Sequence, residues 1–356
     1  MKEEELRFEI MKDLLPEGWE EKARETGAIT RSRKIKTAGD LLAMILLYLT
    51  SGESYSKTAA MTQASEGGMR LTKNAVFERF MKCGEWLAWI NSHICRHACL
   101  LAQKPQWLEG KRVCLIDATE VSKPGSNNAD WCLHSVVDLF SLDTVEMHLT
   151  HASEGEMLTR FKALGEGDLV VGDRGYGTLK ALEYAMNSKA DYCLRLKSNA
   201  FNLYDYDGRI VNLPERIGTL EEGESVDYAL QCKINGQLTP VRLCIYRKTS
   251  EQEKKNERKI KKSNNGEGRA QVSERQSFYE KYVVVATSLR DDASKIMELY
   301  RMRWQVELLF KRLKSIIKFD QIPTKNEASS RAWLNGKLLI AALCEALSNT
   351  NFSPSR

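Results

Sequence analysis

The sequence predicts an α/β protein. A mixed sheet with flanking helices follows an all-helical region and is interrupted by a β-rich insertion. Three observations predict it. Residues 1–104 carry helical periodicity and no convincing strand pattern. After Pro105, short apolar runs of strand length alternate with helical patterns, as in helices packed on a mixed sheet. Across residues 198–289 the apolar period drops to two and turn pairs recur, before a helical stretch returns at residue 293. The expected divisions are a helical region at 1–104, a core at 105–197 and 290–347, an inserted β-rich domain at 198–289, and a tail at 348–356.

In the helical region, residues 37–49 read as a capped apolar helix. Ser54 opens a second helical segment, Glu66-Gly-Gly-Met breaks it, and residues 71–82 are basic. Helix, glycine-containing break and basic helix is the layout of a helix-turn-helix DNA reader, and any small helical bundle shares it. In the DNA-reading version Thr72 or Asn74 caps the second helix, and Lys73, Arg79 and Lys82 face the duplex. Trp86, Trp89 and Trp107 are assigned to the core.

In the core, Val113-Cys-Leu-Ile-Asp117 is a buried strand that ends in a carboxylate. Residues 132–140 and 145–150 read as two more strands, antiparallel neighbours, and residues 155–164 as a helix. Asp168-Leu-Val-Val-Gly-Asp173-Arg-Gly-Tyr-Gly is another buried strand that stops at a second carboxylate. A helix at 178–188 and a strand at 191–196 follow. The Gly172-x-x-Gly175-x-Gly177 order is wrong for a dinucleotide fingerprint, and no phosphate loop is present.

In the insertion, Asp207-Gly208 and Asn235-Gly236 are two-residue turn signals, the second lying between strands at 228–234 and 238–246. Residues 248–276 are polar, rich in Lys and Glu. That composition predicts a mobile loop, with a DNA-tracking arm as the second reading. A strand at 282–289 leads back to helix, and residues 332–347 form the last amphipathic one, leaving little room for a separate C-terminal dimerisation domain.

Charge and composition narrow the class. Net charge is +5, from 53 basic and 48 acidic residues, which is compatible with nucleic acid but does not demand it. The longest apolar run, residues 41–49, is too short to span a membrane, and no signal pattern precedes the acidic start, so a cytoplasmic protein is expected. Nine cysteines without a Cys-x-x-Cys pair predict reduced thiols. His93, Cys95, His97 and Cys99 invite a zinc reading. On a helix the histidines and cysteines lie on opposite sides, so they cannot close one tetrahedral site.

One stretch organises the rest: Tyr300-Arg-Met-Arg303-Trp-Gln-Val-Glu307-Leu-Leu-Phe-Lys311-Arg-Leu-Lys314. It lies in a run from 293 to 317 without Gly or Pro, expected as one helix. On such a helix Tyr300, Arg303, Glu307 and Lys314 fall within about 60° of one another. Met302, Val306, Leu309, Phe310, Leu313, Ile316 and Ile317 gather opposite as a core-facing stripe. A solvated face with helical salt bridges would look the same in isolation.

The carboxylates decide between the two. An acid at the end of an apolar strand is costly unless it is exposed or binds a cation. Asp117 and Asp173 share that placement, and Glu307 sits on a helix able to cross the same sheet. Three hard oxygen ligands suit magnesium or manganese. Two such ions, about 3.5–4 Å apart, activate a water or a 3′-hydroxyl and stabilise the leaving oxygen. The chemistry needs no histidine, and His148 and His151 are read as structural.

The order Asp117, Asp173, then Glu307 beyond a long β-rich insertion resembles the DDE transposases, whose core is ribonuclease-H-like. The spacing of Tyr300, Arg303, Glu307 and Lys314 is similar to the signature of the insertion-sequence family four transposases, and Asp173-Arg-Gly-Tyr resembles their motif around the second aspartate. The likeness covers residues 105–345. It implies cut-and-paste movement of DNA, with Asp117, Asp173 and Glu307 binding two magnesium or manganese ions. Tyr300, Arg303 and Lys314 would grip phosphates beside the scissile bond, joined by Arg174 and by Lys311 on the same helical face. The implied partners are double-stranded DNA, as terminal inverted repeats and target, and a second copy of the chain in a homodimer.

Members of that family also stack a flipped base on a tryptophan of the insertion, whereas no Trp lies here between Trp131 and Trp304. Phe201, Tyr204 and Tyr206 are the alternatives, and use of a hairpin intermediate stays open. The rival functions are a structure-selective nuclease without strand transfer and a catalytically inactive, domesticated DNA-binding protein.

Overall fold

The computed structural model describes residues 11–30, 34–65, 68–93, 104–141, 144–217, 220–253 and 274–351. The zinc-like cluster beyond His93 and most of the lysine-rich stretch at 248–276 therefore lie outside the described residues.

The N-terminal region holds helices α1 (Trp19–Glu25), α2 (Ala38–Ser51), α3 (Tyr55–Ala64), α4 (Lys73–Lys82) and α5 (Gly84–His93). Thr37 and Asp40 form a reciprocal capping box at the start of α2. Thr72, not Asn74, caps α4, accepting from the Ala75 N–H at 3.2 Å. Of the three basic residues expected to face DNA, Arg79 instead turns inward, donating to the Ala28 carbonyl at 3.3 Å. Trp86 is fully buried with its indole N–H on the Trp19 carbonyl, while Trp89 and Trp107 are half-buried.

The core strands are β1 (Arg112–Val121), β2 (Trp131–Asp138), β3 (Thr144–His151), β4 (Asp168–Gly172) and β5 (Asp191–Arg195), with helix α6 (Leu179–Asn187) between the last two. Residues 155–164 are not the helix expected. They hold a single short 3₁₀ turn, Leu158–Arg160, and a second, Ala152–Glu154, precedes them. Gly155, at φ 53° and ψ 172°, occupies a region essentially closed to other residues and stops helical winding there.

Next come β6 (Leu203–Tyr204), α7 (Leu213–Ile217), β7 (Ser225–Ile234), β8 (Gln237–Arg247), α8 (Glu274–Lys281) and β9 (Tyr282–Thr287). All nine strands form one sheet in the order β3-β2-β1-β4-β5-β9-β8-β7-β6. The strands of the β-rich stretch continue the core sheet through β9, which bonds β5 on one side and β8 on the other. The Asn235-Gly236 pair makes the β7–β8 turn, both residues at positive φ.

The closing helices are α9 (Ala293–Met302), α10 (Trp304–Ile316) and α11 (Glu327–Asn351). The single helix expected across 293–317 is thus broken at Arg303, where i→i+3 bonds (Arg303 N–H to Tyr300, Val306 N–H to Arg303) tighten the backbone. The apolar stripe is also narrower than expected. Val306, Phe310 and Leu313 are buried, whereas Met302 and Ile316 are exposed.

Strand alternation divides the core between the sheet's two faces. Val113, Leu115, Leu169 and Val171 join the buried residues of α2, α5, α9, α10 and α11. Cys114, Ile116, Val170 and Leu194 join those of α6 on the other face. Each fully buried side chain of this size contributes about 1.5–3 kcal/mol, an upper bound given a compact unfolded chain. With both faces covered, polar chemistry is left to the strand ends.

Candidate active site

Register builds the site. β1 and β4 run parallel with Leu115 opposite Val171 and Ile116 opposite Gly172. The next residues, Asp117 and Asp173, are therefore neighbours where the pairing stops. By alternation Asp117 shares a face with Val113 and Leu115, the face that α10 crosses. Asp117 Oδ1 accepts from the Ala118 N–H at 3.0 Å, and Asp173 Oδ1 from the Gly175 N–H at 2.8 Å.

The third acid is reached through a cation. Arg303 donates from Nη2 to Glu307 Oε1 at 2.6 Å and from Nη1 to Asp117 Oδ2 at 3.4 Å. The side chains of Arg303 and Asp117 are only 15% and 13% exposed, while Glu307 is 49% exposed, so the bridge is anchored inside and Glu307 stands at the rim. Farther along α10, Lys314 Nζ reaches the Glu120 carbonyl of β1 at 3.1 Å.

The remaining residues of the expected DNA grip are arranged differently. Tyr300 is buried on α9, its hydroxyl without a partner. Arg174 donates to the Tyr279 carbonyl of α8 at 3.1 Å. Lys311 is exposed on α10. His148 pairs with Glu146 at 2.5 Å, and His151 stacks on Trp131 with its Nε2 3.3 Å from Glu327.

Sequence reasoning missed one acid, Glu156, and one phenol, Tyr176. Glu156 lies on the loop between the two 3₁₀ turns, its carboxylate directly over Gly175. Tyr176 is 1% exposed, and its hydroxyl has no partner; the charges acting on it are those of Glu156, Asp117 and Asp173. No spacing rule links residue 156 to residue 173. The signal available was the glycine before each of the two residues.

Burial and neighbouring charge raise the proton affinity of two of these acids, Asp117 and Glu156. Burial pushes Asp117 up to about 6, with Arg303 and the Ala118 N–H pulling it down and Asp173 and Glu156 pushing it up. Burial, then Asp173, lifts Glu156 above the usual range. Among the described residues no three His, Cys, Asp or Glu side chains already close round a common point. The Arg303 guanidinium instead stands between Asp117 and Glu307, a cation answering to both. Hard oxygens of like charge, with a buried unpartnered phenol beside them, are a donor set that fits magnesium or manganese.

The transposase DDE domain family matches residues 108–343, a span that contains Asp117, Glu156, Asp173 and Glu307. The chain belongs to the DDE transposase family. Its nine-stranded mixed sheet with flanking helices is the ribonuclease-H-like fold expected of such a transposase. The chain is 27% identical to the putative transposase InsL for insertion sequence element IS186A of Escherichia coli (strain K12), over 93% of this chain and 90% of that protein. It is 27% identical, with the same coverage, to the transposase for insertion sequence element IS421 of Escherichia coli. A transposase for insertion sequence element IS231C of Bacillus thuringiensis subsp. berliner is 24% identical over 95% of this chain and 78% of that protein. No helix among the described residues is long and apolar enough to cross a membrane.

Proposed function

We propose that this DDE transposase cuts an insertion element at its terminal inverted repeats and joins the freed 3′-hydroxyl to target DNA, working as a homodimer. The observation that carries the reading is the Arg303 bridge, which draws Glu307 to Asp117 while strand register sets Asp173 beside it. Asp117, Asp173 and Glu307 are the residues that would hold two magnesium or manganese ions. Such ions supply an activated oxygen nucleophile and stabilise the leaving oxygen. The Arg303 guanidinium, which neutralises Asp117 and Glu307 in this structure, would be available to a phosphate where those two carboxylates held an ion. Lys314, Lys311, Arg174 and the Tyr300 hydroxyl complete the grip on the strand. For a flipped base in a hairpin step, Tyr206 offers the open ring, at 64% exposure, whereas Tyr204 lies beneath the Lys233 ammonium.

The test uses the full chain with DNA carrying the element ends. Asp117→Asn or Glu307→Gln is expected to lower strand cleavage and joining by about 10³-fold or more in magnesium, with binding to the ends retained. Wild-type cleavage by either variant would remove the assignment. Pre-cleaved ends supplied with target DNA then separate a transposase, which joins them, from a nuclease, which does not.

A further inference from the structure

Glu156 sits where no motif placed it, and two glycines set it there. An ideal Cβ built on Gly175 falls 1.5 Å from Glu156 Oε2 and 3.2 Å from Asp173 Oδ1. The two carboxylates therefore flank one point, and only the missing side chain of Gly175 makes room for the first. On its own side, Glu156 follows Gly155, whose φ of 53° and ψ of 172° aim the chain in a direction other residues reach only under strain.

The turn that presents it is firmly built. Arg160, 12% exposed, donates to the Glu154 carboxylate at 3.1 Å and to the carbonyls of Glu154 and Gly155 at 3.2 and 3.4 Å. Glu154 in turn accepts from the His151 N–H at 3.3 Å. Three cationic donor bonds thus fix the two residues before Glu156, while Glu156 itself is left exposed and its neighbouring charges are Asp173, Lys197, Glu120 and Arg303. Holding an acid beside another acid is unfavourable unless a cation shares them. Independently, the hydroxyl of Tyr176, 99% buried and unpartnered, lies within electrostatic reach of Glu156, Asp117 and Asp173, where a ligand's or a bound water's oxygen would satisfy it.

We propose that Glu156 is a fourth carboxylate of the metal site, seated between Gly155 and Gly175 so as to hold a divalent cation together with Asp173. This rests on the metal-dependent reading given above and adds a residue to it. Magnesium takes carboxylate oxygens at about 2.0–2.1 Å and shares more than one of them, as two acids flanking a single point would allow. Tyr176 then acts as a positioning residue behind them.

The experiment is a calorimetric Mn²⁺ titration of the full-length protein, without DNA, for wild type, Glu156→Gln, Gly175→Ala and Asp117→Asn. Glu156→Gln is expected to weaken Mn²⁺ binding about tenfold or more. It should also melt at a higher temperature than wild type in EDTA, because a like charge has gone. Gly175→Ala keeps the carboxylate but fills its seat, and is expected to reproduce the loss of affinity. Wild-type Mn²⁺ affinity in both variants, alongside a loss in Asp117→Asn, overturns the role of Glu156 and leaves the proposed function standing. Wild-type affinity in Asp117→Asn overturns the metal site itself, and this inference with it.

Discussion

The two ends of the β1–β4 pair are built from the same residue types to opposite effect. At the start of the pair Arg112 lies opposite Asp168, and the two make a bidentate bond of 2.7 and 2.9 Å. The Gly165 N–H, at 2.8 Å, further satisfies Asp168, which is 4% exposed. Five residues along both strands, Asp117 and Asp173 stand side by side as like charges. Glu156 is added to them, and a single guanidinium is shared with Glu307. Both ends carry buried or half-buried carboxylates. Only one is closed by its own partner, and the difference separates an acid matched within the fold from acids left to share one guanidinium.

The sharpest way to break that comparison is to neutralise one acid at each end. Asp117→Asn is expected to lose cleavage by about 10³-fold with its fold intact, as described above, whereas Asp168→Asn should retain its cleavage rate at low temperature. Equal activity loss in both would erase the distinction. Next in size, Asp168→Asn is expected to lower unfolding free energy by about 1–3 kcal/mol in urea. That is below the figure for a fully buried pair, because Arg112 is 42% exposed. A neutral result would show that the closed end contributes nothing measurable.

A smaller effect of opposite sign belongs to the open end. The folded pKa of Asp117 is raised, so its contribution to stability is present below the unfolded value of 3.8 and lost as pH rises through about 6. In EDTA, Asp117→Asn should therefore melt above wild type at pH 8, with the gap closing as pH falls from 6 toward 4. Comparing the two proteins cancels the contrary contribution of His134, which burial pushes down to about 4. A gap that does not change with pH would mean that Asp117 is fully neutralised by Arg303. The smallest expected change is at the rim. Lys314→Ala should weaken DNA binding about threefold and reduce the salt slope by about one, measured by fluorescence anisotropy across salt concentrations.

Much of this site was legible because it depends on rules local to the chain. Apolar strands ending at Asp117 and Asp173 marked the carboxylate positions, and the four-residue step from Arg303 to Glu307 put both on one helical face; their ion pair is the helical salt bridge that the solvated-face reading allowed. The parts that were not legible depend on an absent atom or on backbone geometry. Glu156 reaches the site only because Gly175 has no Cβ and Gly155 adopts a left-handed φ, neither of which leaves a periodic trace. The break at Arg303 falls in a run of good helix formers, where propensity alone argues for continuity. The contact between the Arg174 guanidinium and the carbonyl of residue 279, far along the chain, likewise leaves no mark in the residues around Arg174.

The seating of β9 between β5 and β8 has a mechanical consequence. The β7–β8 hairpin is welded through the backbone bonds of β9 into the plate that carries Asp117 and Asp173. Its outer strands are joined to those acids through an unbroken ladder of backbone bonds. Any nucleic acid they touched would meet them in the same frame as those acids.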